Sequence, residues 1–371
     1  MHGHLNVLIG IHQSRFSCLI YVIKFVQVIS CNLPFQLKDK QVSSVILLNS
    51  KSNSEEINFI SHKFIHKTYK YRRSIQGIFR LLKVRSEIDK FTPDVVHFHS
   101  SFSGIIRLTY LIKPAKYKVV YCPHGWSFIQ QNKGPIRKKI YEFIERCLAR
   151  KTDAIINISK SEQEEAIKHN LPSSKLHLIY NSISSERKEY AVRTPFTDKK
   201  RKKLLFIGRF DAAKGLSFLL DNGKLKENGI ELVVIGASVL QDQNLKYDDR
   251  NIRFLGWVDN EYIGSYMMHC DAVIVPSMWE GFGLVALEAM RAHKMVIASN
   301  VGGLPELIID KKNGLLFKKG SAKSLNERLN EFAGMSDSAI KIMGERGYDL
   351  FRQKYNRLKL NEKLLKIYSE K

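Results

Sequence analysis

Residues 272–288 read AVIVPSMWEGFGLVALE and contain a strand pattern, a turn and the start of a helix. The first four residues are apolar and mostly β-branched, which favours a strand that is covered on both faces. Pro276 ends this strand, and Gly281 and Gly283 allow the backbone of the turn to come close to a ligand. A buried strand that passes through a turn into a helix is typical of the repeating unit of a parallel α/β sheet.

The same alternation runs along both halves of the chain. Buried strands are predicted at Leu5–Ile9, Val45–Leu48, Asp94–His99, Lys118–Cys122, Ala154–Ile158 and Leu176–Tyr180, and again at Leu204–Ile207, Glu231–Ile235, Ile252–Leu255, Ala272–Val275, Val296–Ala298 and Leu315–Phe317. Helices are predicted at Ile75–Phe91, Ile136–Lys151, Ser161–His169, Ser338–Lys354 and Leu358–Tyr368. This pattern predicts the α/β class, with two doubly wound parallel sheets.

The alternation pauses between residues 184 and 203. This stretch is polar and charged, contains Pro195 and ends in the basic run 199–203. Such a composition is typical of a linker between domains. We therefore expect a first domain at residues 1–183, a linker at 184–203 and a second domain at 204–371.

The composition is that of a globular chain in a reducing compartment. The 371 residues are 44% hydrophobic and 26% charged, which provides apolar material for two cores and excludes a mainly disordered protein. The five cysteines include no C-x-x-C pair, which argues against a disulfide framework or a zinc finger. The apolar run from Phe16 to Cys31 is broken by Lys24 and Gln27 and is too short to cross a bilayer, so we interpret it as a buried helix.

The net charge of +24 is concentrated in the first half, with +18 over residues 1–200 and +6 over residues 201–371. A basic half indicates a polyanionic partner, either nucleic acid, an anionic membrane or a phosphorylated ligand. No RNP motif, zinc finger or recognition-helix pattern is present, which argues against nucleic acid. The densest basic stretch, His62–Lys90, interleaves its cations with aromatic and aliphatic residues and suits an anionic membrane surface.

Two loops of the second half carry the candidate chemistry, because ligands bind at the carboxyl ends of strands in open parallel sheets. The loop GRFDAAKG, residues 208–215, offers Arg209 and Lys214 beside two glycines and a helix N-terminus, a combination that suits a diphosphate. In the turn quoted first, Glu280 and Glu288 are eight residues apart, a distance of at most about 12 Å if the segment is helical. One carboxylate can then hold a sugar and the other a ribose.

With seven residues between its two acids, this turn resembles the E-x7-E signature of the family 4 retaining glycosyltransferases. The loop GRFDAAKG is similar to that family's phosphate loop. Other segments similar to family elements are Val301–Glu306, Asn313–Phe317, Pro93–His99 and Pro123–Gly125. The resemblance implies a GT-B fold, in which two Rossmann-like domains face each other across a cleft and the last helices cross back to the first domain.

The resemblance also implies an activity and a set of partners. The activity is that of a retaining glycosyltransferase, which moves a hexose or N-acetylhexosamine from a nucleotide-diphosphate sugar, with UDP favoured. The implied acceptor is a lipid-diphosphate-linked saccharide of O-antigen, capsule or exopolysaccharide assembly. We expect a cytoplasmic enzyme that is peripheral on the inner face of the cell membrane and contacts its anionic surface through His62–Lys90. A nucleotide-sugar epimerase or a phosphorylase on the same fold, and a basic nucleic-acid-binding protein, are the alternatives.

Matched position by position, the resemblance assigns roles to individual residues. Arg209 and Lys214 hold the diphosphate, and Glu288 binds the ribose hydroxyls. Glu280 contacts hydroxyls of the donor sugar, and His124 reaches the transferred sugar from the acceptor side. The remaining members of the implied substrate site are Gly10, Gly281, Phe282, Gly283 and Leu284. Of these, Gly10 stands where the family usually has a pair of glycines.

No metal or other cofactor is expected. The sequence has no D-x-D motif, and Arg209, Lys214 and the helix that begins near Gly283 can supply the positive charge instead. His97 and His99 face the same side of a predicted strand, but no third zinc ligand is apparent. We interpret them as a polar pair at the border of the cleft.

Overall fold

The computed structural model describes residues 19–25, 42–50, 64–69, 75–129, 133–185, 189–237, 251–355 and 357–370. The chain divides into two compact units. The first comprises residues 1–180 together with residues 360–371, and the second comprises residues 181–359.

The first unit contains a seven-stranded sheet. Its strands are β1 (Leu19–Phe25), β2 (Val42–Ser50), β3 (Phe64–Tyr69), β4 (Val95–His99), β5 (Lys118–Cys122), β6 (Ala154–Asn157) and β7 (Leu176–Leu178). Its helices are α1 (Ile75–Lys90), α2 (Ser100–Gly104), α3 (Leu108–Ile112), α4 (Pro135–Ala149) and α5 (Lys160–Lys168), with short 3-10 helices at Ile105–Arg107 and Ser173–Lys175. The strand order is β3-β2-β1-β4-β5-β6-β7, and every pair that does not include β1 is parallel.

Strand β1 corrects one prediction. The apolar run Phe16–Cys31 was expected to form a buried helix, but residues Leu19–Phe25 form a strand that pairs antiparallel with both β2 and β4. The segment LIYVIKF is rich in β-branched and aromatic residues, which fit a pleated sheet better than a helix. The first sheet is therefore mixed rather than wholly parallel. The predicted strand Leu5–Ile9 and the predicted site residue Gly10 lie outside the described residues.

The second unit contains a six-stranded sheet in which every strand pair is parallel. Its strands are β8 (Lys202–Ile207), β9 (Ile230–Ile235), β10 (Ile252–Gly256), β11 (Ala272–Val275), β12 (Met295–Ser299) and β13 (Gly314–Phe317). Its helices are α6 (Leu216–Asn222), α7 (Asn260–Met267), α8 (Leu284–Arg291), α9 (Leu304–Leu307), α10 (Ala322–Gly334) and α11 (Asp337–Lys354). The strand order β10-β9-β8-β11-β12-β13 places β8, β11 and β12 side by side at the centre.

Each sheet has its own apolar core. In the first unit Val96, Phe98 and Tyr121 are fully buried, and in the second unit Leu204 and Ile274 are fully buried. Central parallel strands that are apolar on both faces require cover on both sides, which explains their continuous runs of branched residues. The predicted α/β class with two sheets is confirmed.

The segment predicted as a linker belongs to the second unit. The buried carboxylate of Glu231 on β9 accepts hydrogen bonds from the backbone N–H groups of Thr197 and Asp198, at 2.8 Å and 3.0 Å. A buried acid is stable only with such partners. This contact fixes the approach to β8, whose carboxyl end begins the first candidate loop.

The last helix, α12 (Arg357–Ser369), brings the chain end to the first unit. The Nζ atom of Lys118 donates to the backbone carbonyls of Ile367 and Glu370. Within the described residues, no helix combines the length and the apolar character that a membrane crossing requires.

Candidate active site

The loop after β8 carries both predicted phosphate-binding cations. The exposed Arg209 places Nη2 at 3.0 Å from Oδ2 of Asp211. The half-buried Lys214 places Nζ at 2.6 Å from Oε2 of Glu280, which lies in the loop after β11. Ser277 donates a longer hydrogen bond, 3.3 Å, to the same oxygen. The structure thus brings together two of the predicted site residues, Lys214 and Glu280, from separate loops.

Two glycines hold the loops against each other. Gly215 has a φ of +70°, and a Cβ at this position would lie 1.9 Å from the carbonyl oxygen of Pro276. Gly302, in the loop after β12, has a φ of +55°, and its Cβ would lie 1.7 Å from the carbonyl oxygen of Glu280. Only glycine satisfies both the left-handed backbone and the close approach. The loops after β8, β11 and β12 therefore pack backbone against backbone.

The predicted backbone contributors Gly281–Leu284 form the turn at the start of α8. Gly283 is the N-cap of this helix, with a φ of +103°, and a Cβ there would lie 2.6 Å from the side chain of Leu304. The ring of Phe282 is buried and meets the ring of Tyr355 edge-on, with centroids 5.7 Å apart. The packing of these side chains anchors the turn, and the free N–H groups of the first helical turn follow directly behind it.

Glu288 lies in the second turn of α8. Burial raises the pKa of its carboxyl group, and the nearby Arg291 opposes this shift to a smaller extent. Arg291 itself donates to the carbonyl of Ser184 at 2.9 Å. Within the described part of the chain, the Glu288 carboxylate accepts no hydrogen bond. Ligand hydroxyls are one class of group that would satisfy such a carboxylate.

The predicted acceptor-side histidine belongs to a cluster in the first unit. His124 follows β5 with a left-handed φ of +51°, and its Nε2 lies 2.8 Å from Nδ1 of His99 at the end of β4. The ring of His97 lies beside that of His99, with centroids 3.9 Å apart, as expected for residues on one side of a strand. The Nδ1 of His97 lies 2.7 Å from the hydroxyl of Tyr368 on α12. A line of contacts therefore connects the last helix to His124.

Cys122 adds a potential metal ligand to this cluster. It pairs with His99 across β4 and β5, and the ligand atoms of His99, Cys122 and His124 lie within 4.8 Å of one another. Burial raises the pKa of the Cys122 thiol, and the charge of Glu162 raises it further, so the thiolate that a metal needs is disfavoured. The facing ring nitrogens of the two histidines are also within hydrogen-bond distance of each other. Both observations favour a hydrogen-bonded cluster over a metal centre.

The basic stretch His62–Lys90 is described in part, as β3 and α1. Arg85 is buried, and its guanidinium donates to the carbonyls of Lys113, at 2.7 Å, and Pro114, at 3.3 Å. It also pairs with Asp89 at 3.2 Å. The expectation that His62–Lys90 contacts the membrane is therefore wrong for Arg85, because the charge of Arg85 is used inside the first unit.

Four residues near these groups were missed from the sequence. Asp211 and Ser277 are separated from Arg209 and Glu280 by only a few residues, so a survey of polar neighbours would have found them. Cys122 ends the predicted strand that follows the one ending in His99, and pairing of the two strands would have revealed it. Tyr368 has no local signal, because its contact joins residues 271 positions apart.

Comparison with known proteins decides the family. Residues 32–187 match the family Glycosyltransferase Family 4, and residues 188–349 match the family Glycosyl transferases group 1. A protein of the cps region of Klebsiella pneumoniae, described as an uncharacterized 41.2 kDa protein, is 36% identical over 287 residues, which cover 75% of this chain and 79% of that protein. The chain belongs to glycosyltransferase family 4. The resemblance seen in the sequence is confirmed, and the protein is a glycosyltransferase.

Two further similarities place this glycosyltransferase among its relatives. The Escherichia coli UDP-Gal:alpha-D-GlcNAc-diphosphoundecaprenol alpha-1,3-galactosyltransferase is 25% identical over 316 residues, which cover 80% of this chain and 79% of that enzyme. The crystal structure of Anabaena HepE in complex with UDP and glucose matches with a TM-score of 0.68 at 18% identity, covering 84% of this chain and 87% of HepE. The predicted GT-B fold of the glycosyltransferase is confirmed by this likeness.

Proposed function

We propose that this glycosyltransferase moves a hexose or N-acetylhexosamine from a UDP-sugar to a lipid-diphosphate-linked saccharide, with retention of configuration, in surface-polysaccharide assembly. The observation that carries the donor half of this proposal is the contact between Lys214 and Glu280 at 2.6 Å. It joins the cation proposed to bind phosphate and the acid proposed to bind the sugar, which come from two loops whose backbones pack against each other.

The diphosphate is proposed to lie against Lys214 and Arg209. Both cations follow β8 directly, at the edge of the sheet where parallel α/β folds bind ligands. Arg209 remains exposed, with 47% of its side chain accessible, so it can exchange Asp211 for a phosphate oxygen. A guanidinium binds phosphate in a bidentate manner, and a lysine provides a point charge.

The nucleoside and the sugar are proposed to occupy the two ends of the turn. Glu288 accepts hydrogen bonds from the ribose hydroxyls, which supply the partners that its carboxylate lacks within the described residues. Glu280 accepts from hydroxyls of the sugar, and the backbone of Gly281–Leu284 lies beside it. The identity of the nucleoside as uridine is supported by the UDP-sugar named for the Escherichia coli relative and the UDP bound to HepE.

In the proposed transfer reaction, negative charge develops on the departing diphosphate. The bond between the anomeric carbon and the diphosphate oxygen breaks, and its electron pair remains on that oxygen. The acceptor hydroxyl oxygen bonds to the anomeric carbon on the same face, and its proton passes to the departing diphosphate. Lys214, Arg209 and the N-terminus of α8 stabilise the leaving group, and such contacts typically contribute about 2–4 kcal/mol each at a transition state. His124 is proposed to contact the transferred sugar, and no metal ion is needed for these steps.

The acceptor and the location are proposed from the relatives and the charge. The Escherichia coli relative acts on a diphosphoundecaprenol-linked sugar, and the Klebsiella relative lies in a cps region. The excess positive charge of residues 1–200 suits both a lipid diphosphate and an anionic membrane. We place the enzyme at the inner face of the cell membrane, bound peripherally.

The test is a transfer assay with purified full-length protein. UDP-galactose, UDP-glucose, UDP-N-acetylglucosamine and GDP-mannose are each supplied with and without N-acetylglucosamine-diphosphoundecaprenol. We expect transfer from one UDP-sugar to the lipid acceptor, with the donor's α configuration preserved in the product by NMR. Inversion of configuration would refute retention. Interconversion of the UDP-sugars without acceptor would identify an epimerase instead.

A further inference from the structure

Helix α4 carries apolar side chains on two opposite faces. Leu148 and Ala149 are buried, and Tyr141 packs against the core of the first unit. On the other side Ile136, Ile140 and Phe143 are exposed, with 75%, 51% and 60% of each residue accessible to solvent. Spacings of four and three residues place these side chains on one face of the helix. We call Ile136, Ile140 and Phe143 the outer stripe.

Cations line the outer stripe, and acids do not. At 3.6 residues per turn, Lys139, Arg146 and Arg150 fall along one edge of the stripe. Glu142 lies beyond this edge, where its carboxylate is 3.1 Å from Nδ1 of His169 and 3.7 Å from Nη1 of Arg146, so Lys139 and Arg150 are the exposed cations of the edge. Glu145 is buried and directed inward.

The inward acid also fixes the orientation of the helix. Glu145 lies 2.7 Å from Nη2 of Arg107, which precedes α3. Because breaking a buried ion pair is costly, this contact keeps the outer stripe turned to solvent. The end of α3 exposes two more apolar residues, Leu111 and Ile112, followed by Lys113.

This combination distinguishes α4 from the other helices that the structure describes. Helix α3 also exposes Leu108, Leu111 and Ile112, but it is only five residues long. On the other helices, the exposed apolar residues that the structure describes, such as Ile167 on α5 and Ile342 on α11, occur singly. Single exposed apolar residues are ordinary on a protein surface, but a contiguous stripe edged with lysine and arginine is typical of helices that lie in a membrane interface.

We propose that the outer stripe of α4 inserts into the headgroup region of an anionic bilayer, with the exposed Lys139 and Arg150 contacting lipid phosphates. The stripe lies outside His62–Lys90 in the sequence. The inference deepens the proposed function, since it names the residues through which an enzyme with a lipid-linked acceptor reaches its membrane. It also orients the first unit, because the helix must lie parallel to the bilayer plane.

The test is sedimentation of the full-length protein with vesicles of phosphatidylcholine, with or without phosphatidylglycerol, at low and high salt. We expect the wild type to bind the anionic vesicles at low salt and the variant Ile136→Gln/Ile140→Gln/Phe143→Gln to lose about tenfold or more in vesicle affinity. The matched control is Ile167→Gln/Met268→Gln/Ile342→Gln, three apolar residues outside α4 with exposures of 51%, 43% and 51%, and it should bind as the wild type does. Circular dichroism confirms that both variants are folded.

A second measurement locates the contact. The variant Phe143→Trp adds a fluorophore to the outer stripe, and Ile342→Trp adds one to the second unit. Brominated lipids should quench the added fluorescence of the first variant and leave that of the second unchanged. Equal quenching of both would overturn the assignment of the contact to α4.

The remaining outcomes are equally decisive. Wild type that ignores anionic vesicles, or a stripe variant that binds them undiminished, overturns the proposal. A wild type that is dimeric by light scattering, with a monomeric stripe variant, identifies a self-association face instead. Sugar transfer to a short-chain acceptor in solution is assayed in parallel. If neither the wild type nor any variant transfers sugar, the proposed function is refuted. If the wild type still binds vesicles in that case, the membrane surface is established independently.

Discussion

The two units build their candidate groups in different ways. In the second unit, glycines clamp three neighbouring loops so that backbone contacts set the position of Lys214 and Glu280. In the first unit, His124 is held by the side chain of His99, which contacts His97 and through it the last helix. Backbone packing resists change except at the glycines, whereas a side-chain cluster can be altered one member at a time. The two sites should therefore respond differently to substitution.

The largest effect is expected in the second unit, at Lys214, the cation that is proposed to stabilise the leaving group. Lys214→Ala should lower kcat/KM by about 10²–10³-fold, corresponding to roughly 3–4 kcal/mol of transition-state stabilisation. Glu288→Ala should lower kcat/KM by a similar factor. The matched control is Lys311→Ala, an exposed lysine whose Nζ lies 4.0 Å from Glu331. Steady-state kinetics with a UDP-sugar provide the measurement, and near-normal turnover in both folded site variants would contradict the donor-site assignment.

The glycine clamp can be broken with an internal comparison. Gly302 and Gly229 both have a left-handed φ, of +55° and +64°, but only a Cβ at Gly302 would meet another backbone, at 1.7 Å from the carbonyl of Glu280. Alanine in this conformation costs about 1–2 kcal/mol at either position. Gly302→Ala should lower the free energy of unfolding by roughly 1–3 kcal/mol more than Gly229→Ala does, because the two loops must move apart. Urea unfolding measures the free energy of unfolding of both variants. Equal decreases would show that the close approach of Gly302 to the Glu280 carbonyl does not constrain the loops.

The different construction explains what the sequence could predict. Glycine turns and buried strands leave local patterns, so the sequence predicts all the strands of the second sheet and brings together Lys214 and Glu280 as candidate site residues. The apolar run that contains β1 was assigned to a helix, because a short run without periodicity fits either structure until its partners are known. Pairing with β2 and β4 decides between them.

The histidine cluster is only partly predictable from the sequence. His97 and His99 were placed on one side of a strand from alternation alone. Cys122 joins His99 and His124 because β4 pairs with β5, and Tyr368 contacts His97 because the last helix returns to the first unit. Long-range contacts of this kind leave no pattern in the neighbouring residues.

A smaller effect is expected on the pH dependence of stability. Burial raises the pKa of Glu288 in the folded state above its unfolded value. The folded state therefore favours the protonated carboxyl, and the associated stability is complete below the unfolded pKa and is lost as the pH rises through the folded pKa. Glu288→Gln should raise the Tm of the ligand-free protein at neutral pH and converge with the wild type in acid.

Thermal unfolding across this pH range provides the measurement for Glu288→Gln. The exposed Glu227→Gln serves as the control, and its difference from the wild type should not vary in the same way. A Glu288→Gln variant that is less stable than the wild type at neutral pH would show that the carboxylate has a stabilising partner and is not held ready for a ligand.

The smallest effect is expected from metal removal, and it tests the first unit directly. Activity should survive EDTA, since cations and a helix N-terminus are proposed to stabilise the diphosphate in the second unit. The cluster of His99, Cys122 and His124 is the place where this expectation could fail, because its ligand atoms lie within 4.8 Å. The raised pKa of the buried Cys122 thiol opposes thiolate ligation. Cys122→Ser should therefore retain transfer activity, and neither it nor the wild type should contain stoichiometric zinc by mass spectrometry of the purified protein. Three results together would identify the histidine cluster as a metal centre. The wild type would contain one zinc per chain, Cys122→Ser would contain none, and transfer by the wild type would be lost in EDTA. Such results would also move part of the chemistry from the second unit to the first.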